Sequence, residues 1–267
     1  MKEDSEILTK EMSSNGVLRL TMNNLDHKNA LSESMMSVLS NEIKNASTDK
    51  SIRVIVLSAN GNVFCSGHDL KEITAARANE DYGEVFFQKL FDDCSMLMQL
   101  IVNTPQPVIA EVDGIATAAG CQLVASCDLA IASSESKFAT PGVNIGLFCS
   151  TPMVALSRNI HKKNAMEMLL TGDFIDSEKA KEIGLINNVF PQQSLASEVN
   201  QLAEKIASKS SMTVSIGKEA FYAQAEMSLS DAYKYTSKIM KNNLLKHDAK
   251  EGIKAFIEKR SPGWKDE

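Results

Sequence analysis

The order of apolar segments predicts an α/β (α+β) fold built from stacked strand–strand–helix layers, with a helical C-terminal region behind it. Two observations carry this expectation. Pairs of short strand-like runs recur ahead of helical stretches, and helical periodicity dominates from about Pro152 onward. No low-complexity linker separates the parts, so the chain divides into a layered core over 1–195 and a helical appendage over 196–267.

Residues 6–12 and 16–22 read as two strands joined around Asn15-Gly16, with Val17, Leu18, Leu20 and Met22 as the apolar content of the second. Ser32 is placed to cap a helix in which Met35, Met36, Leu39 and Ile43 recur at helical spacing. Val54 to Leu57 is an apolar run suited to a strand buried on both faces. A loop is expected from Ser58 to Asp69, then a helical stretch and a long helix from about Asn79 to Asn103, with Met96, Leu97, Leu100 and Ile101 as core. The unit then repeats: a strand at Pro107 to Ala110, a small-residue turn from Gly114 to Gly120, a helix at Cys121 to Ser126, and a strand at Leu129 to Ala132. Beyond a strand at Leu185 to Phe190, four helices are expected at Ser194–Ser208, Met212–Ala225, Ser230–Leu245 and Ala249–Lys259.

Composition excludes several function classes. At 267 residues, 43% hydrophobic and 23% charged, the chain has ample apolar surface for a core. A net charge of −6 argues against general nucleic-acid binding. Lys241, Lys246, Lys250, Lys254, Lys259, Arg260 and Lys265 form a local basic stretch, suited to a phosphorylated small molecule or to a solvated helix face. The cysteines at 65, 94, 121, 127 and 149 match neither a zinc site nor a redox CxxC pair, and the histidines are scattered, so reduced thiols and no metal site are expected. No apolar run approaches the roughly 20 residues a membrane span needs. The N-terminal segment is too acidic for a signal or transit peptide, which suits a cytoplasmic protein, or a mitochondrial matrix protein if a leader has been removed.

Two segments carry candidate chemistry. Phe64-Cys65-Ser66-Gly67-His68-Asp69-Leu70 follows a buried strand and leads into a helix, where glycine permits close approach of a ligand and unpaired N–H groups point outward. Gly114 to Leu123 is a run of small residues that again opens a helix. Taken alone, each is equally explained by turn formation or tight packing. Together, FCSGHDLKE, PVIAEVDGIATAAGCQLVASCDLAIAS and SKFATPGVNIGL resemble, in order and spacing, the signature segments of the crotonase (enoyl-CoA hydratase/isomerase) superfamily. Lys28-Asn29-Ala30-Leu31, Leu170-Thr171-Gly172-Asp173 and Ala255 to Arg260 extend the likeness from about Leu18 to Trp264.

The resemblance implies a crotonase-type spiral of ββα turns and C-terminal helices that form trimers, alone or paired into hexamers. It implies an acyl-CoA thioester as partner, with no tightly bound cofactor and coenzyme A entering as part of the substrate. It places coenzyme A against Lys28, Ala30 and Leu31 and against Ser66, Gly67, His68, Asp69 and Leu70, with its adenine near the latter segment, counts Gly120 among the binding residues, and has Phe256 and Lys259 supplied by a neighbouring subunit. The backbone N–H groups of His68 and Ala119 take the place of the oxyanion donors. Family hydratases carry two glutamates that activate water; the matching positions here are Gln122 and Gly142. An amide cannot accept water's proton, and general acid–base help is worth about 10² to 10⁴-fold per group, so efficient hydration is not expected.

Substitutes for the missing acids are few. Cys149 and Ser150 lie near where other members place an aspartate, but neither has an activating partner in the sequence. The His68 side chain has the chemistry to titrate near neutral pH. Asp69 and Asp128 read as structural. A small anion such as bicarbonate beside Gly142 is a further option, although Thr140 is not the glutamine expected there. The sequence therefore leaves two classes: a lyase- or isomerase-type enzyme of fatty-acid or acyl-CoA metabolism that relies on enolate stabilisation, and a non-catalytic acyl-CoA-binding or regulatory homologue.

Overall fold

The computed structural model describes residues 7–267; the expected strand residue at position 6 and the start of the N-terminal segment fall outside them. The first hairpin pairs β1 (Leu8–Met12) with β2 (Val17–Met22) in antiparallel register, Leu8 opposite Met22. α1 (Glu33–Thr48) is capped by Ser32, whose side chain accepts from Met35 N–H, and it buries Met35, Met36, Leu39 and Ile43 as expected. The ββα turns follow. β3 (Val54–Ala59) and β4 (Val63–Cys65) precede α2 (Leu70–Ala76) and α3 (Glu84–Asn103). β5 (Val108–Val112) and β6 (Ile115–Thr117) precede α4 (Ala119–Ser126), and β7 (Leu129–Ser133) and β8 (Lys137–Ala139) lead to a 3₁₀ turn at Pro141–Ile145.

Each turn gives its first strand to one sheet and its second to another. The larger sheet has the order β1-β2-β3-β5-β7-β10, with β10 at Asn188–Phe190; the smaller has the order β4-β6-β8-β9, with β9 at Ile175–Asp176. Expectation and structure part in the smaller sheet. The loop expected over Ser58–Asp69 contains β4, and the turn expected over Gly114–Gly120 contains β6, because three-residue strands are too short to show an alternating pattern. The strand expected from Leu185 begins at Asn188; Leu185 and Ile186 are buried in the turn before it. The long helix starts at Glu84 rather than Asn79, because the Asp81 carboxylate accepts from Gly83 and Val85 N–H and ends the preceding turn. Met96 is a further correction: it is 58% exposed, whereas Leu97 and Ile101 are core.

The larger sheet is buried on both faces. Ile55, Leu57, Val108 and Ala110 belong to the main core, while Val54, Val56, Ile109 and Ile131 pack under α8 (Gln192–Ala207). Leu195, Val199, Ala203 and Ala207 recur every fourth residue of α8, so one helical stripe covers that face, and α8 spans the division expected at 195 and 196. In chain order, α5 (Pro152–Asn159), α6 (Lys162–Thr171) and α7 (Ser177–Glu182) come between β8 and α8. The last helices are α9 (Ser211–Ala225), α10 (Leu229–Leu244) and α11 (His247–Ile257). They leave Phe221, Leu229, Tyr233, Met240, Leu244, Ile253, Phe256 and Ile257 exposed. Within the C-terminal basic stretch Arg260 is held by Glu251 and Glu258, and Lys254 lies 3.9 Å from Glu258, as on a solvated helix face.

All five cysteines are free and buried. Burial pushes the thiols of Cys65, Cys94 and Cys121 up to about 12 and raises those of Cys127 and Cys149. In the unfolded chain a thiol ionises near its ordinary value of 9.0. Above that pH the unfolded state loses protons that the folded state keeps, so the contribution of the neutral thiols is complete below pH 9 and declines as pH rises toward 12. Each thiol costs about 1.4 kcal/mol per pH unit in that window. Thermal melts between pH 7 and 11 are expected to show Tm falling steeply above pH 9, with a shallower fall in a Cys65→Ala/Cys121→Ala variant.

Candidate functional site

Three loops converge where the smaller sheet meets its helices. The first runs from a 3₁₀ turn at Leu25–His27 through Lys28 and Asn29, both at positive φ, to Ala30 and Leu31. Asn29 holds it in place, its amide donating to the carbonyls of Asn60 and Val63. The second is Ser66 to Leu70. Ser66 N–H donates to Lys28 O at 3.2 Å and Leu31 N–H to Gly67 O at 2.7 Å, so the two loops run as a short parallel pair. The third is Thr117 to Gly120, tied to the second by Thr117 Oγ1, which donates to Ser66 O at 3.1 Å.

Two glycines allow this approach. Gly67 has φ +89°, and a Cβ there would lie 2.9 Å from Ala118 Cβ and 3.3 Å from Ala119 N. A Cβ on Gly120 would lie 2.2 Å from Cys65 O, so only glycine fits. Ala118 adopts φ 50°, ψ −118°, a conformation uncommon outside glycine that turns β6 sharply into α4. Ala119 is the first residue of α4 and has no carbonyl four residues back within the helix to bond. Among the described residues neither His68 N–H nor Ala119 N–H has a backbone hydrogen-bond acceptor. The structure thus brings the predicted residues of all three loops together and leaves two unpaired N–H groups on adjoining segments.

The side chains around them are largely committed. His68 Nδ1 donates to Leu31 O at 3.3 Å, which leaves Nε2 without a proton and without a partner. The ring packs edge-on against Phe91, with centroids 5.5 Å apart, and burial lowers its basicity. The imidazole is therefore neutral at pH 7, which corrects the expectation that it titrates near neutrality. Asp69 caps α2 through Lys71 N–H and takes a 2.7 Å hydrogen bond from His27 Nδ1. Burial raises its carboxyl, but these bonds outweigh burial and hold it below the usual carboxylate range. Leu70 is exposed at the rim.

Gln122, on the first turn of α4, is buried, and Cys94 Sγ on α3 approaches its Oε1 at 3.9 Å. Gly142 is packed on the side where a Cβ would project. A Cβ there would lie 2.7 Å from Leu147 O and 2.8 Å from Cys149 Sγ, so on that side the expected gap is filled by the chain itself. Ser150 is exposed and its Oγ donates to Phe148 O at 3.3 Å, with no base beside it. Phe256, 85% exposed on α11, and Lys259, just beyond the end of α11 at φ 54°, share no hydrogen bond with these loops.

Sequence reasoning missed a polar cluster at the far end of α4. Lys218 Nζ on α9 donates to Asp128 Oδ2 at 2.7 Å and to the carbonyls of Ile101 and Gln106 at 2.9 Å. Asp128 also accepts from Val108 N–H and Tyr222 OH. Asp128 is structural, as expected; Lys218 sits 90 residues away and gave no local signal. A separate cavity of about 520 Å³ is lined by Ser14, Gly16, Lys50, Arg53 and Glu204, none from the three loops, and Arg53 there is occupied by Ala207 O, Lys209 O and Asp266.

A ββα spiral with two unpaired N–H groups at adjoining helix-forming turns defines a class, and the comparisons agree with it. The sequence model described as Enoyl-CoA hydratase/isomerase matches residues 12–267, and the chain belongs to that family, with the crotonase fold. It is similar to enoyl-CoA hydratase domain-containing protein 3, mitochondrial, of Xenopus laevis, at 50% identity over 96% of this chain and 86% of that protein. The human protein of that name is 48% identical over 94% of this chain and 82% of its own length. Among solved structures, an enoyl-CoA hydratase of Mycobacterium smegmatis superposes with TM-score 0.92 at 45% identity, covering 97% of this chain and 98% of that one. The human enoyl Coenzyme A hydratase domain-containing protein 3 superposes with TM-score 0.91 at 45% identity, covering 97% of this chain and 100% of that one.

Proposed function

We propose that this chain binds an acyl-CoA thioester and polarises its carbonyl through the N–H groups of His68 and Ala119, as an enzyme of acyl-CoA metabolism that works by enolate stabilisation rather than efficient hydration. The observation that supports the reading is the close approach of the two segments, a Cβ on Gly67 falling 3.3 Å from Ala119 N, together with the lack of a backbone acceptor for His68 N–H and Ala119 N–H among the described residues. Two such donors aimed at a developing oxyanion contribute several kcal/mol, since losing one typically costs about 100-fold or more in rate. Because both are main-chain groups, the site tolerates variation at side chains 68 and 119. Lys28, Ala30, Leu31 and Ser66 to Leu70 would line the coenzyme A path, with Gly120 beside the acyl group. Hydration lacks its acids: residue 122 is an amide and residue 142 has no side chain.

The exposed apolar surface of α9 to α11 supports self-association as a trimer or a dimer of trimers, with Phe256 and Lys259 completing a neighbour's site. The relatives' printed names support a mitochondrial setting. A second reading, a non-catalytic acyl-CoA-binding or regulatory homologue, is supported by the packing at Gly142, where an acidic side chain could not be accommodated without moving Leu147 and Cys149.

Calorimetry with coenzyme A thioesters, followed by mass spectrometry of enoyl-, 3-hydroxy- and malonyl-type esters after incubation, tests the proposal. Binding with conversion of at least one ester, and only residual hydration of crotonyl-CoA, is the expected result. Binding without any conversion supports the non-catalytic reading. Hydration of crotonyl-CoA at ordinary hydratase rates would overturn the argument from Gln122 and Gly142, and absence of binding would overturn both readings.

A further inference from the structure

We infer that Gln122 makes this site select acyl thioesters with a carbonyl or carboxylate oxygen at C3, such as 3-oxoacyl or malonyl-type groups, because its amide offers Nε2 as a hydrogen-bond donor. The inference rests on the thioester reading above and names the substrate class of the same site. Cys94 sets the orientation of the amide. Its thiol is fully buried on α3 and approaches Oε1 at 3.9 Å. Burial keeps that thiol protonated, its titration pushed up to about 12, so toward Gln122 it acts as a donor. The flipped amide would set its N–H against a sulfur that accepts only weakly and would cost the thiol its acceptor Oε1. With Oε1 turned to Cys94, Nε2 points away from it, no protein acceptor takes it, and it is not sealed from solvent.

The position of this donor suits a 1,3-oxygenated acyl group. Gln122 follows Ala119 by three residues on α4. Residues three apart share a helix face, and a helical side chain leans back toward the N-terminus. The Gln122 amide therefore stands on the face that begins with Ala119 N–H, the two Cα atoms separated by a rise of about 4.5 Å. A thioester oxygen at Ala119 leaves its C3 substituent facing position 122. An ionised glutamate there would present only acceptor oxygens and would repel a carbonyl or carboxylate oxygen at C3, though not a hydroxyl; the amide donor reverses that preference. The nearest acid of the loops, Asp69, is occupied by His27 and Lys71 and does not compete. A site that directs an otherwise unpaired donor at its ligand discriminates against analogues lacking the acceptor.

Calorimetric affinities of the purified full chain for butyryl-CoA, 3-oxobutyryl-CoA and malonyl-CoA test this, with Gln122→Glu, Gln122→Met and Cys94→Ala as variants and thermal melts as the check on folding. The wild-type protein is expected to favour both C3-oxygenated esters about tenfold or more over butyryl-CoA. Gln122→Met should bring the ratio close to one, Gln122→Glu should bring it below one for malonyl-CoA, and Cys94→Ala should reduce it by freeing the amide to flip. A wild-type ratio near one, or a ratio unchanged in both Gln122 variants, overturns the selectivity while leaving thioester binding intact. Failure of all three esters to bind overturns the thioester reading itself.

Discussion

Gly120→Ala is expected to cost about 100-fold or more in acyl-CoA turnover. The added Cβ would lie 2.2 Å from Cys65 O and 2.8 Å from Cys65 C and Cβ, so the obstruction is mainly backbone that cannot rotate aside. The first turn of α4 must then move away from the 65–68 segment, and the N–H groups of His68 and Ala119 separate. Losing alignment of one such donor typically costs two to three orders of magnitude. Overpacking adds a stability loss of about 1–3 kcal/mol. Turnover of a coenzyme A ester and the melting temperature, measured on the same preparation, separate the two effects. A variant that melts a few degrees lower yet turns over as the wild type does would show that the juxtaposition of the loops is not what activates the thioester.

Lys218→Met should lower stability by about 3–5 kcal/mol, a loss readable as a Tm drop of roughly 10 °C. Burial lowers the affinity of this ammonium for its proton, and Asp128 opposes that shift. The side chain is only 6% exposed and satisfies the Asp128 carboxylate and two carbonyls at once. Removing it strands a largely buried carboxylate between Tyr222 OH and Val108 N–H, a group that cannot be rehydrated without opening α9. Adding Asp128→Asn to the variant should return part of the loss, because the uncompensated charge is then gone; a double-mutant cycle measures the coupling. Additive losses would mean that the pair does not act as a unit.

How much of this was legible beforehand depends on sequence distance. The helix capped by Ser32, the buried strand at Val54 to Leu57 and the stripe of α8 follow from local pattern and were readable directly. So were the two glycine-bearing turns, although neither turn by itself distinguished a ligand site from tight packing; their order and spacing together carried the family resemblance. The short strands β4 and β6 were hidden, because three residues form a strand only when a parallel neighbour supplies the hydrogen bonds. The state of His68 was equally hidden: its tautomer depends on Leu31 O and its basicity on burial against Phe91.

By itself, the sequence determined the ββα fold class, the two glycine-bearing loops on which the proposed thioester site rests, and the presence of an amide at Gln122 and of no side chain at Gly142. Only the tertiary structure decided that Gly142 is walled by Leu147 and Cys149, that Cys94 Sγ lies 3.9 Å from Gln122 Oε1, and that Lys218 closes the charge of Asp128. The physical reason is the same in each case. A residue's type sets which bonds it is able to make, but donors, acceptors and voids, whether in neighbouring turns as Gly142 and Leu147 are, or 28 and 90 residues apart, meet only when the sheets and helices are packed, and that meeting selects the bonds that form.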